Sequence, residues 1–233
     1  MASKKPMLKI QTPVGDLNWM FITGEGKEDL NGNPRYSASV YYDKDDAQLK
    51  AFIKKLEAFW EENKPKGSRK AKSMGVYTEV KVPDAEAVDG FKVSQVSYTK
   101  PLEDDMEPTG RIVVSAWTGV SMPDGKPKHV KTYNAKAAEV SLGDKVIGPG
   151  SRGALTVACG VYDNGANKGL SLYLNGVVIS KFVELQAGDA AEAIDDEDGW
   201  TGEDLNEDGA MPLASSAPAY DPDEAPTKAK VKL

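Results

Sequence analysis

The stretch Gly153-Ala-Leu-Thr-Val-Ala-Cys-Gly-Val-Tyr162 decides the fold class. Leu155, Val157, Cys159 and Val161 fall on every second position, the period of a half-buried strand, and leave Arg152, Thr156 and Tyr162 on the opposite face. Asn164-Gly165 follows, a pair that readily takes the positive φ angles of a tight turn, and predicts a hairpin into a second strand over 170–183. Asn175-Gly176 carries the same hairpin signal. Working outward, further strands are predicted over 17–22, 35–42, 76–82, 90–98, 111–117 and 129–133, separated by clusters of Gly, Pro, Asn and Asp. One segment breaks the pattern. Across 44–62, Leu49, Phe52, Ile53, Leu56, Phe59 and Trp60 recur at i, i+3, i+4, i+7 spacing opposite a charged face, which predicts an amphipathic helix. Asp43, Asp45 and Asp46 suit the positive end of its dipole, and Lys64-Pro-Lys-Gly67 ends it. The chain therefore reads as mainly β, a barrel or sandwich with one packed helix.

Charge is sorted by position along the 233 residues. Residues 186–227 contain thirteen acids and neither Lys nor Arg, whereas 1–185 hold 23 acids against 26 bases, so the net charge of −7 hides a basic body. We expect a folded domain over 1–187 and a disordered acidic tail over 188–233, where large apolar residues are too few to offset the entropy of ordering. A basic body that carries its own polyanion suits a polyanionic ligand, and nucleic acid is the first hypothesis; a tail that only aids solubility is the alternative. There is no apolar run approaching the ~20 residues of a membrane span, and no apolar export signal follows Met1. The expectation is a non-secreted protein with no membrane partner.

Several chemistries find no support. With one cysteine, Cys159, and one histidine, His129, neither an internal disulfide nor a His/Cys zinc site can be assembled within the chain. Cys159 lies in an apolar strand pattern and reads as core, and His129 lies in a lysine-rich segment, so no nucleophile and base pair suggests itself. Gly148-Pro-Gly-Ser-Arg-Gly153 lacks the Gly-Lys-Ser/Thr ending of a phosphate-binding loop and reads as a tight connection into a strand. Asp204-Leu-Asn-Glu-Asp-Gly209 opens like a calcium loop, yet the twelfth position is Ser215 where a bidentate Glu is needed. No cofactor, metal or catalytic residue is expected.

The outward strand faces share a composition. Arg111, Ser115 and Trp117 lie opposite Ile112, Val114 and Ala116; Lys92, Ser94, Tyr98 and Lys100 lie opposite Phe91 and Val93. Lys131 and Tyr133 point outward from 129–133, and Arg35, Ser37, Ser39 and Tyr41 from 35–42. With Arg152, Thr156 and Tyr162, a set built from cations, small hydroxyls and aromatics recurs across five strands. Single-stranded nucleic acid asks for that set, because cations follow phosphates while flat rings receive unstacked bases. Two acid-free loops add charge: Lys64, Lys66, Arg69, Lys70 and Lys72, then Lys126, Lys128, His129, Lys131 and Lys136. The competing reading is a virion or carbohydrate-binding module whose outward aromatics stack on sugars or on a partner.

In residues 8–205 the chain resembles the single-stranded DNA-binding proteins of tailed phages. The resemblance is carried by Gly32-Asn-Pro-Arg-Tyr36 before a strand and the helix, Val146-Ile-Gly-Pro-Gly-Ser-Arg-Gly153 before the strand to Tyr162, and Gly176 to Leu185 running into the acids. It implies an OB-fold, a five-stranded Greek-key barrel with extra strands and one inserted helix. It also implies a coat on single-stranded DNA in phage replication, recombination and repair, within the cytoplasm of an infected bacterium. Trp117, Tyr162 and the basic residues of 64–72 fall where that family contacts DNA. Duplex DNA would bind more weakly, limited by the tail, and replication proteins would dock on the tail. Family members finish in acids with an aromatic tip, whereas this chain finishes Pro226-Thr-Lys-Ala-Lys-Val-Lys-Leu233; the recognised element is then internal, around Trp200, or the partner differs.

Overall fold

The computed structural model describes residues 6–29, 32–122, 124–143 and 145–185; the acidic tail, Trp200 and the calcium-like segment lie outside the described residues. Ten strands and one helix follow in the order β1 (Met7–Gln11), β2 (Gly15–Phe21), β3 (Lys27–Glu28), β4 (Pro34–Asp43), α1 (Ala47–Asn63), β5 (Val76–Pro83), β6 (Phe91–Ser97), β7 (Glu107–Gly119), β8 (Lys131–Asn134), β9 (Arg152–Asn164) and β10 (Asn167–Lys181).

Five of these strands close on themselves. β2 pairs with β4, β4 with β7, β7 with β10, β10 with β9, and β9 with β2; only the β7–β10 contact is parallel. This is the OB-fold barrel in the order 1-2-3-5-4, with β2, β4, β7, β9 and β10 as its five strands. Its interior is filled by alternate side chains, among them Leu17, Val40, Val114, Leu155, Cys159 and Leu172, all buried. On its second edge β7 pairs with β5 through its first half, and β5 pairs with β6, so a hairpin extends beyond the barrel. β1 lines β9, and β8 lines the last part of β10.

The helix starts where Asp46 caps it, its carboxylate accepting from the amides of Gln48 at 2.7 Å and Leu49 at 2.9 Å. It stops at Lys64, whose amide donates to the Trp60 carbonyl. Leu49, Phe52, Ile53, Leu56 and Trp60 bury into the barrel core, each worth about 1.5–3 kcal/mol of transfer free energy, so packing rather than propensity holds this helix.

Three expectations are corrected. Phe91 and Val93 are not core but 45% and 63% exposed, because β6 is an edge strand that pairs only with β5 among the described residues. Asn175-Gly176 makes no hairpin; the register slips there within β10, and a Cβ on Gly176 would stand 2.8 Å from the Lys131 carbonyl, so this glycine admits β8 at close range. Strands β1 and β3 lie where none was predicted. The Asn164-Gly165 hairpin forms as expected, with Gly165 at φ +67.

Candidate nucleic-acid interface

Strand register lines up outward side chains from neighbouring strands. Ser37 of β4 stands opposite Trp117 of β7, Trp117 opposite Tyr173 of β10, Tyr173 opposite Ala158 of β9, and Ala158 opposite Lys9 of β1. One transverse row thus crosses the outer face. Beside it Ser39 faces Ser115, their hydroxyls 2.8 Å apart. Its Ser37 and Trp117 line an open groove of about 400 Å³, together with Lys27, Arg35, Tyr77 and Ser115 among others.

Trp117 is 39% exposed. Its ring meets Tyr173 edge to face, with centroids 5.5 Å apart, and the Arg35 guanidinium lies 4.9 Å from its centroid. Arg35 also pairs with Asp29 at 2.6 Å. A flat indole with a cation over it and a second ring at its edge stands beside a floor of serines, which leaves depth for a planar group.

A second concavity, of about 280 Å³, is cationic. Lys66, Lys70, Lys72 and Lys168 line it with Gly67, Ser68 and Ala166. Here the loop after α1 meets the β9–β10 turn: the Lys72 amide donates to the Lys168 carbonyl at 2.8 Å, the Leu170 amide to the Ser73 carbonyl at 2.8 Å, and the Lys72 ammonium to Asn167 Oδ1. Among the described residues no acid pairs with Lys66, Lys70 or Lys72; Lys168 pairs with Asp163 at 3.3 Å. Tyr162 packs over Gly169, the neighbour of Lys168 in the chain, where a Cβ would meet its hydroxyl at 2.8 Å. Partial burial, then the neighbouring Tyr77, pushes its phenol up from the ordinary value.

The other expected residues divide by location. Arg111 and Arg152 reach the same Asp16 carboxylate, at 3.8 and 3.4 Å, near the far end of the β4 face. Tyr41 is on the outward side as expected, yet only 4% exposed: Arg111 covers its ring at 4.7 Å, and its hydroxyl accepts from Trp19 Nε1 at 3.1 Å and Gln95 Nε2 at 3.2 Å. Tyr41 is therefore a support, not a platform. Arg69 and Tyr98 line a separate pocket of about 460 Å³ against α1, with Trp60, Met74, Glu57 and Glu61. Lys92 sits on the edge strand, paired with Asp84 at 3.0 Å. Lys128 turns to the Thr118 hydroxyl. Lys131 and Tyr133 lie on β8, beside the last part of β10, Lys131 paired with Glu139 at 2.7 Å, and Tyr133 in a fourth, shallow groove with Lys9, Gln11, Thr156 and Asn175.

The expected set missed Lys27, Tyr77, Lys168, Tyr173 and Trp19. Tyr173 was within reach, since Leu170, Leu172 and Leu174 set the buried face of that strand and put Ser171 and Tyr173 outside. Among the described residues no group of three His, Cys, Asp or Glu side chains is placed to hold a metal ion, and no helix is long and apolar enough to cross a membrane.

No family model matches the sequence, and no curated protein matches it. Solved structures do. The single-stranded DNA-binding protein gp2.5 of bacteriophage T7 aligns with a TM-score of 0.48 at 16% identity, over 83% of this chain and 100% of that one. The single-stranded DNA-binding protein of bacteriophage Enc34 in complex with single-stranded DNA aligns with a TM-score of 0.47 at 16% identity, over 76% of this chain and 88% of that one.

Proposed function

We propose that the protein binds single-stranded DNA across the outer face of β4, β7 and β10, without catalysis and with little sequence preference. The observation that carries this reading is the Arg35–Trp117–Tyr173 cluster beside its serine floor, together with the lysine pocket at the β9–β10 turn. OB barrels use the face of their second and third strands, flanked by the loops between strands 1 and 2 and between strands 4 and 5, for oligonucleotides. Here those strands are β4 and β7. The first loop supplies Lys27 and Asp29 to the groove, and the second supplies Ala166 to the lysine pocket. Phosphates would follow Lys27, Arg35, Lys70, Lys72 and Lys168, while bases stack on Trp117, Tyr173 and Tyr162.

In this reading the protein coats single strands during phage DNA replication, recombination and repair in the host cytoplasm. The acidic segment over 188–233 acts as a tethered polyanion that competes for the cationic sites, weakens duplex binding most, and is free for basic replication proteins when DNA displaces it. Removing it would tighten duplex binding at low salt. The test of the main reading is a gel shift of the full chain with poly-dT, duplex DNA and RNA at two salt concentrations. Preference for poly-dT, with log affinity falling against log salt at about −0.7 per neutralised phosphate, supports it. Binding that ignores salt, or that is absent for poly-dT and present for a polysaccharide, replaces it with the sugar-stacking reading.

A further inference from the structure

Trp19 is the most exposed aromatic side chain among the described residues, at 57%, although it lies inside a barrel strand. The register between β2 and β4 slips at this point: Asn18 pairs with Ser39 and Phe21 with Ser37, so β2 carries one extra residue. Trp19 takes φ 52, the left-handed region that Gly or Asn adopts easily and a bulky side chain avoids. Its surroundings hold it there. Its amide donates to Asn18 Oδ1 at 2.9 Å and its indole Nε1 to Tyr41 Oη at 3.1 Å. Tyr41 in turn is fixed by Gln95 at 3.2 Å and by the Arg111 guanidinium over its ring, 4.7 Å away.

The polar edge of the indole is thus satisfied while much of its surface is left to solvent. A buried ring would stabilise the fold, and a glycine would relieve the backbone; this bulge does neither, and strained residues of that kind cluster at binding sites. Tyr41 lies four residues along β4 from Ser37, the partner of Trp117, a rise of about 13 Å. Between them runs the serine floor of Ser37, Ser39 and Ser115.

We propose that Trp19 is a second base-stacking platform at the Tyr41 end of the β4–β7 face, and that the left-handed bulge exists to present it. This rests on the single-stranded DNA reading and extends the contact surface beyond Trp117. Arg111 and Arg152, both beside Asp16, supply the cations at this end.

The test uses the full chain and an oligo-dT, with W19A, W19G, W19F and W117A compared for affinity and melting temperature. W19A and W19G should each bind roughly 5- to 100-fold more weakly, W19F should stay within about 3-fold of wild type, and W19G should melt no lower than W19A because glycine accepts the bulge. If W117A weakens binding while W19A and W19G match wild type, the platform assignment is overturned and the wider reading stands. A W19G that melts below W19A contradicts the strained bulge. Failure of the wild type to bind oligo-dT removes the DNA reading itself, and this inference with it.

Discussion

The Arg35 guanidinium sits 4.9 Å from the Trp117 ring centroid while holding the Asp29 carboxylate at 2.6 Å, so a single side chain links the loop before β4 to the aromatic platform. In the proposed reading R35A loses a phosphate contact and leaves the indole less covered. The salt slope of poly-dT binding should fall by about 0.7, while the affinity extrapolated to high salt is kept or improved. An unchanged slope would mean that Arg35 serves only Asp29.

In the proposed reading Trp117 carries the stacking. W117A should lose about 1–3 kcal/mol of binding free energy for single strands. Its melting temperature should drop by only a few degrees, since the ring is part exposed and gives up its edge contact with Tyr173 and the Arg35 guanidinium over its face. Titration and thermal unfolding of the same preparation check both halves, and a large melting loss with intact affinity would place the ring in the core instead.

The lysine pocket makes an electrostatic prediction. Neutralising Lys70 and Lys72 together, as K70Q/K72Q, should lower the salt slope by about 1.4 and weaken poly-dT and poly-dC equally, because phosphates carry no base information. A loss confined to one base composition would show that the pocket reads bases.

Alkaline pH should destabilise the fold. Desolvation in the barrel interior pushes the Cys159 thiol up to about 12 from 9.0, and burial likewise pushes the Tyr42 phenol above its ordinary range. Below pH 9.0 both folded and unfolded thiols are neutral and stability is fully present; above it the unfolded thiol ionises first, and stability is lost progressively toward pH 12. Guanidinium midpoints should hold steady to about pH 8.5 and fall beyond it. Thiol labelling at pH 8 should wait on unfolding; rapid labelling of the native protein would contradict the buried thiol.

Local patterns in the sequence were enough for the helix, the barrel strands and the 164–167 hairpin, because 3.6-residue and two-residue periods, acids crowded before a helix start and an Asn-Gly turn are local signals. Trp117, with Arg111 and Ser115 on the side away from Ile112, Val114 and Ala116, was legible for the same reason. Long-range placement was not. Tyr41 has the right parity but is roofed by Arg111, a residue about seventy positions away. Phe91 and Val93 alternate like core residues, yet their strand hangs outside the closed barrel. Trp19 breaks parity through a bulge that appears only when β2 is laid against β4. Asn175-Gly176 carries turn chemistry that serves instead to let β8 approach.

The most direct measurement is photo-crosslinking of the full chain to an oligonucleotide bearing 5-iododeoxyuridine at each position in turn, with the adducts mapped by mass spectrometry. We expect adducts on Trp117 and Tyr173 of the β4–β7–β10 face, with Tyr162 of β9 and Trp19 of β2 at other oligonucleotide positions. Adducts confined to Phe91 on the β6 edge, or to Tyr133 in its separate groove, would contradict it.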